Sequence, residues 1–405
     1  MALQAWPHLA DIEADRYTHG GAWEPRVKAI LDVGRVALLD GPYLSLRIDR
    51  RFEPVDRRVN DLGYSVLSYV WARLVRQPPN RQDLMRVNLL VLLCAMALLF
   101  VVASPWPRLL SAALLCFLPI PLPFFRSPDP LATHGSLAVL GIALAAAVPT
   151  VASWPVSLGL GVVLFLVHKI RSAYALYAAA GLIAAASVEA YRTRTRRPLL
   201  RMLAALVICL PLEAAWQAPL ARRSQDPRLI DQDTLGTHPI YIALLEGIGF
   251  SDNPWGIKPW DPWIATYLSE RYGLEPVDVG SAESERRARQ AYFELFREAP
   301  FRFIALYAGR VPTFASQHFF LGTPGALLLL VAAGGAFAAC WRCSGRGSVL
   351  ALAALAMTSC VLFQTVVLDP RPLYAYPLRI ASGVALALSL GVWLEHRLGH
   401  GPLAR

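Results

Sequence analysis

Four short clusters carry the residue types that could do chemistry. They are Asp11, Glu13 and Asp15 beside Arg16 and Tyr17; Arg126-Ser127-Pro128-Asp129-Pro130; His168-Lys169-Ile170-Arg171; and Asp369-Pro370-Arg371-Pro372-Leu373-Tyr374. A carboxylate within hydrogen-bond reach of a hydroxyl can take its proton as a general base. An arginine or lysine fixed near a leaving phosphate takes up the charge that develops on it. Both kinds of group are present. Each also has a plainer reading. Asp15 lies in a mixed-charge segment where solvated carboxylates are the norm, and Lys169 and Arg171 are placed to snorkel toward headgroups from helix ends. Asp129 and Asp369 stand beside prolines as turn formers do, and for Asp369 that reading is favoured. Arg371 is the one short-loop cation between the last two apolar stretches.

The elements that must hold these residues follow from composition. The 405 residues are 55% apolar and 17% charged, against about 45–50% and about 25% in soluble domains. An ordinary cytosolic enzyme, a disordered chain and a small disulfide scaffold are excluded. Gly and Pro follow no period and no repeat of 20–50 residues is found. The expected fold is an all-α polytopic integral membrane protein.

A helix needs about 20 residues to cross about 30 Å of hydrocarbon. Nine stretches qualify or nearly do: 88–104, 107–125, 131–150, 153–168, 172–190, 198–218, 321–341, 348–367 and 373–394. The organisation expected is an extracytoplasmic segment 1–87 with amphipathic helices and six transmembrane segments over 88–218. A large extracytoplasmic loop over 219–320 follows, then three segments and a short cytoplasmic tail over 321–405.

Orientation comes from arginine and lysine in short loops. With 1–87 outside, the inner loops and tail carry Arg108, Arg192, Arg194, Arg196, Arg197, Arg201, Arg342, Arg346, Arg397 and Arg405; the short outer loops carry Arg126, Lys169, Arg171 and Arg371. Ten against four sets the large loops outside a plasma (inner) membrane and the C-terminus in the cytoplasm. The net charge of +10 is thereby membrane orientation, and no nucleic-acid partner is expected. No apolar run precedes residues 1–87 to carry them across. A first transmembrane helix encoded upstream is preferred over a segment that reaches the far side unaided, and a cytoplasmic 1–87 would reverse every loop.

Pro119, Pro121 and Pro123 alternate with Ile and Leu, which cannot continue a helix. Irregular backbone at membrane depth needs protein or a wet cavity around it. A cavity near the outer helix ends and an early start to the outer loop remain equal readings.

Within 219–320, His238 precedes an apolar stretch and Asp261 lies among Trp255, Trp260 and Trp263. Both are candidate polar site residues. The tryptophans suit sugar stacking, and better a membrane interface. Tyr292, Leu295, Phe296 and Ala299, then Phe303, Leu306 and Tyr307 after Pro300, predict an amphipathic helix pair with Arg286, Arg287, Arg289, Arg297 and Arg302 on its polar side. Its place is the membrane surface or the lid of a donor groove.

The six cysteines lie in or beside apolar segments and form no disulfide framework. Cys340 and Cys343 have CxxC spacing without a second pair or a histidine. No metal-ligand spacing is visible and no cofactor is identified; a divalent metal stays open.

The layout resembles the polytopic membrane glycosyltransferases of the C-type fold, which include protein mannosyltransferases and aminoarabinose transferases. The residues carrying the likeness are Asp11 to Tyr17, Leu158-Gly159-Leu160-Gly161 running to Lys169, the loop 220–320, and Arg371 to Pro377. The chain lacks that family's first helix, has no adjacent acidic pair, and carries Pro372 within the Arg-Tyr element. The resemblance implies transfer of a sugar from a polyprenyl-phosphate donor to an extracytoplasmic lipid, glycan or protein acceptor. It makes Asp15, Glu13 or Asp11 the base, Asp129 a second carboxylate, and Lys169, Arg171 and Arg371 the phosphate clamp. The other readings are a transporter or flippase of a lipid-linked substrate and a non-catalytic relative. A transporter should bury ionisable groups deep in its spans, whereas here they gather at one surface.

Overall fold

The computed structural model describes residues 45–48, 51–54, 74, 81–103, 105, 107–111, 133–150, 153–215, 240–259, 261–273, 282–342, 346–368 and 372–397. Apart from a short antiparallel hairpin, β1 (Ser45–Ile48) and β2 (Arg51–Pro54), with Ser45 opposite Pro54 and Ile48 opposite Arg51, these residues are mainly helical. The helices are α1 (Arg81–Val102), α2 (His134–Thr150), α3 (Trp154–Ile170), α4 (Ser172–Thr193), α5 (Arg197–Val207), α6 (Ile240–Gly249), α7 (Asp261–Tyr272), α8 (Ala282–Glu298), α9 (Pro300–His318), α10 (Gly322–Arg342), α11 (Arg346–Val367) and α12 (Pro372–Arg397). They stand over every expected apolar stretch except 107–125, most of which lies outside the described residues.

Four helices are long and apolar enough to cross a membrane: Ser172–Thr193, Arg197–Ala215, Ser348–Val367 and Pro377–Glu395. A fifth span is added if α9 and α10, which meet at 101°, count as one broken span. Helices α2 and α3 have 17 residues each, a turn short of the usual crossing length.

Helix α2 is the centre of the bundle. Its residues from His134 to Pro149 are all buried, and α1, α3, α4, α5, α11 and α12 pack around it. A helix apolar on every side has to be enclosed by other helices or by lipid. Without a hydrophobic force between helices in lipid, close packing of small residues holds such bundles together. Ala145, Ala178, Ala185, Ala353, Ala354 and Ala381 supply that seam. At Gly161 a Cβ would fall 2.5 Å from the Ala205 carbonyl oxygen, so α3 and the helix beginning at Arg197 touch backbone to backbone. Leu166, Leu176, Leu203, Leu210, Leu330 and Phe363 instead point outward, an apolar belt suited to acyl chains.

Within α2 to α5, and again within α10 to α12, successive helices alternate in direction. An Arg201 Nη1 donates to the Pro149 carbonyl at 3.2 Å, which joins the end of α2 to the start of α5. The Tyr177 hydroxyl donates to Gln364 Oε1 at 2.8 Å, joining the start of α4 to the end of α11. His134, Lys169, Arg171, Glu213, Gln364 and Arg379 consequently share one end of the bundle, while Pro149, Glu189, Arg192 and Arg201 share the other.

Helices α6 to α9 form a second unit on the first of these ends. Its core is Ile242, Leu245, Ile248, Ile264, Leu268 and Leu295, with Phe303 from α9. The apolar side of α8 is thus largely used inside this unit. Glu285 accepts from the Tyr241 and Ile242 amides and satisfies the start of α6, where a carboxylate also suits the helix dipole. Asn253 closes the next turn, donating to the Ser251 and Ile257 carbonyls and accepting from the Ile257 amide.

Candidate functional site

One residue joins α3 to α4. Arg171 is extended (φ −157°, ψ 106°), its amide donates to the Val167 carbonyl and its carbonyl accepts from the Tyr174 amide. So abrupt a junction holds the basic pair Lys169 and Arg171 at the end of the bundle. Lys169 Nζ lies 2.5 Å from Glu213 Oε2, with 10% of its side chain exposed, and His168 Nε2 stands 3.8 Å from the same oxygen. The Lys169 ammonium also sits 5.2 Å from the Phe165 ring centroid. Lys169 therefore bends onto a carboxylate instead of extending freely to headgroups.

Arg171 lies within electrostatic reach of the His134 ring and the Tyr177 hydroxyl. Between these two is the buried Tyr174, its ring centroid 5.1 Å from His134 and 5.6 Å from Tyr177. Tyr177 passes its hydroxyl hydrogen to Gln364, itself nearly enclosed. A polar and aromatic seam thus runs from α2 through α4 to α11, with a cation at its rim. Such a seam offers a positive charge, hydroxyl and amide hydrogen-bonding groups, and aromatic faces within one region. Groups of these kinds bind phosphorylated or hydroxyl-rich ligands, although here the Tyr177 hydroxyl is already bonded to Gln364 and the His134, Tyr174 and Gln364 side chains are buried.

The second unit is fastened beside this region by Arg310. Its Nη1 donates to the Val366 carbonyl at 2.9 Å, its Nη2 to the Gly247 carbonyl at 2.6 Å, and its Nε to Ser251 Oγ at 2.8 Å. The guanidinium thus satisfies late carbonyls of both α6 and α11, where a cation also complements the dipole. Gly247 lies against the Val367 carbonyl so closely that no Cβ would fit. Arg379 Nη2 donates to the Gln317 carbonyl and the Phe320 amide donates to Ser382 Oγ, which stitches the end of α9 to α12.

Elsewhere in this unit, ion pairs organise the surface. Arg286 and Arg287 both donate to Glu283, and those hydrogen bonds hold its carboxyl down at about 2. Glu294 is also lowered, first by its hydrogen bond from Gln290, while burial and the Glu294 carboxylate push Tyr272 up to about 12. Trp255 packs against Phe303 in the core. Trp263 remains half-exposed beneath Lys258, whose Nζ is 3.8 Å from the ring centroid.

Of the sequence-derived candidates, Lys169 and Arg171 fall together at the end of the bundle that carries the second unit. Asp11, Glu13, Asp15, Arg126, Asp129, His238 and Arg371 lie outside the described residues, as does Trp260. The backbones of Asp261 and Tyr374 belong to the first turns of α7 and α12. His134, Glu213, Tyr177 and Gln364 were not singled out from the sequence. Two of them carried a usable signal, since a His or Glu within an apolar stretch is a functional candidate by default. Arg310 gave none, being one arginine among several in an amphipathic segment. Among the described residues no group of three or more His, Cys, Asp or Glu side chains gathers to hold a metal ion. No family model, curated protein or solved structure matches the chain.

Proposed function

We propose that the protein is a membrane glycosyltransferase that moves a sugar from a polyprenyl-phosphate donor to an extracytoplasmic lipid, glycan or protein acceptor. The observation that supports it is the seam from His134 to Gln364, with Arg171 at its rim, at the end of an apolar bundle beside a helical unit. On this reading Arg171 and Arg371, with Lys169 held by Glu213, bind the donor phosphate. One of Asp15, Glu13 and Asp11 takes the acceptor proton, and Asp129 is a second carboxylate. The chain crosses a plasma membrane about nine times, short helices included, with α6 to α9 outside and the C-terminus in the cytoplasm.

The test is release of polyprenyl phosphate from a polyprenyl-phosphate sugar by purified protein in lipid, with acceptor supplied. Arg171→Ala is expected to raise the donor KM at least tenfold, and Asp15→Asn, Glu13→Gln and Asp11→Asn combined to abolish turnover. Movement of a lipid-linked substrate between leaflets without polyprenyl phosphate release would instead identify a flippase. Donor binding without either activity would leave a non-catalytic relative.

A further inference from the structure

Helix α9 has three faces. Phe303, Tyr307, Arg310 and Phe314 turn into the protein. Arg302, Thr313, Ser316 and Gln317 lie together on a second, mainly polar face, where Leu306 is partly covered by the second unit. At 3.6 residues per turn the third face, an arc of about 120°, holds Phe301, Ile304, Ala305, Ala308 and Val311, and ends at Ala315, which packs partly against the bundle. It contains no polar side chain, yet Phe301 is 86% exposed and Ile304 56%.

Two observations identify what covers this stripe. The chain turns through 101° from α9 into α10, with Leu321 and Gly322 both at positive φ, so α9 lies near the plane of a membrane that α10 crosses along its normal. Beyond the bend the bare apolar surface continues along α10 through Leu327, Leu328, Leu330 and Val331. Removing such surface from water is favourable.

We infer that the Phe301–Val311 stripe is a lipid-binding surface and that its partner is the phospholipid bilayer, entered at the boundary between headgroups and acyl chains. Arg302, on the adjoining polar face, meets lipid phosphates there. Helix α9 thereby divides its duties. One face holds the second unit to the bundle through Arg310, and another fixes that unit's height on the membrane. This role depends on the membrane reading and is independent of sugar transfer.

A benzophenone-bearing side chain introduced singly at Phe301, Ile304 or Val311 tests it. The full-length variants are reconstituted in phosphatidylcholine–phosphatidylglycerol nanodiscs, illuminated and analysed by mass spectrometry, with Leu330 on α10 and Thr313 on the polar face for comparison. Phospholipid adducts at Phe301, Ile304 and Leu330, at least tenfold more abundant than at Thr313, are expected. Adducts to protein, or no lipid adduct at Phe301 and Ile304 while Leu330 gives one, would overturn the proposal. Loss of the Leu330 adduct as well would overturn the membrane placement of α10 on which it stands.

Discussion

The Arg310 guanidinium reaches the Val366 and Gly247 carbonyls and Ser251 Oγ at once, and only a planar fork has donors in those directions. Arg310→Ala leaves buried carbonyls unsatisfied and is expected to weaken attachment of the second unit by about 3 kcal/mol. Amide exchange at residues 247–251 and 366–368 should accelerate by roughly a hundredfold, and Arg310→Lys should recover little of the loss; unchanged exchange in both variants would show the fork to be dispensable. The Tyr177–Gln364 bond is a simpler pair. A double-mutant cycle with Tyr177→Phe and Gln364→Leu, read by unfolding in mixed detergent, should return a coupling of about 0.6–1.7 kcal/mol, and additivity would mean the bond adds nothing. At this scale the sequence revealed half of what mattered. Lys169 and Arg171 could be chosen because two cations at the end of an apolar run are conspicuous. Glu213 could not be assigned to Lys169, because their meeting depends on how two helices 44 residues apart in sequence pack.

Helix boundaries were legible for a physical reason: apolar length is set by the bilayer, and the stretch 172–190 is followed closely by α4 at Ser172–Thr193. The fate of α8 was less legible. Its spacing of apolar residues announced an amphipathic helix but not what would cover it, and the cover is largely α6, α7 and α9. The start of α8 makes a pH prediction. Glu283 is held at about 2 against an ordinary 4.5 by Arg286 and Arg287, so its folded value is depressed. Its contribution is present above about 4.5 and is lost as pH falls through about 2. Being exposed, the contribution is small. Amide protection of the first turn of α8 should be flat from pH 8 to 5 and decline from pH 4.5 to 2.5, and Glu283→Gln should flatten that decline. An equal decline in the variant would locate the titration elsewhere.

On the scale of the whole molecule, the arginines sort between the two ends of the bundle. Arg108, Arg192, Arg194, Arg196, Arg197 and Arg201 cluster away from the end that carries α6 to α9. On the proposed orientation, which follows the positive-inside rule, the second unit stands across the membrane from the cytoplasm. Cysteines introduced near 260 should react with an impermeant maleimide from outside intact cells, and those near 345 only after permeabilisation; the reverse pattern would invert the protein. The enclosure of α2 carries a consequence for biogenesis. Its last residue is Thr150, while α12, one of the helices that sheathe it, ends at Arg397. At about 5–20 residues per second, synthesis of the intervening segment takes roughly 12–50 s. Over most of that interval α2 is covered by α1, α3, α4 and α5 alone, with the sides that α11 and α12 will fill still open. Its run of small apolar residues is compatible with lipid in the meantime, and the arrival of the final helix completes its enclosure.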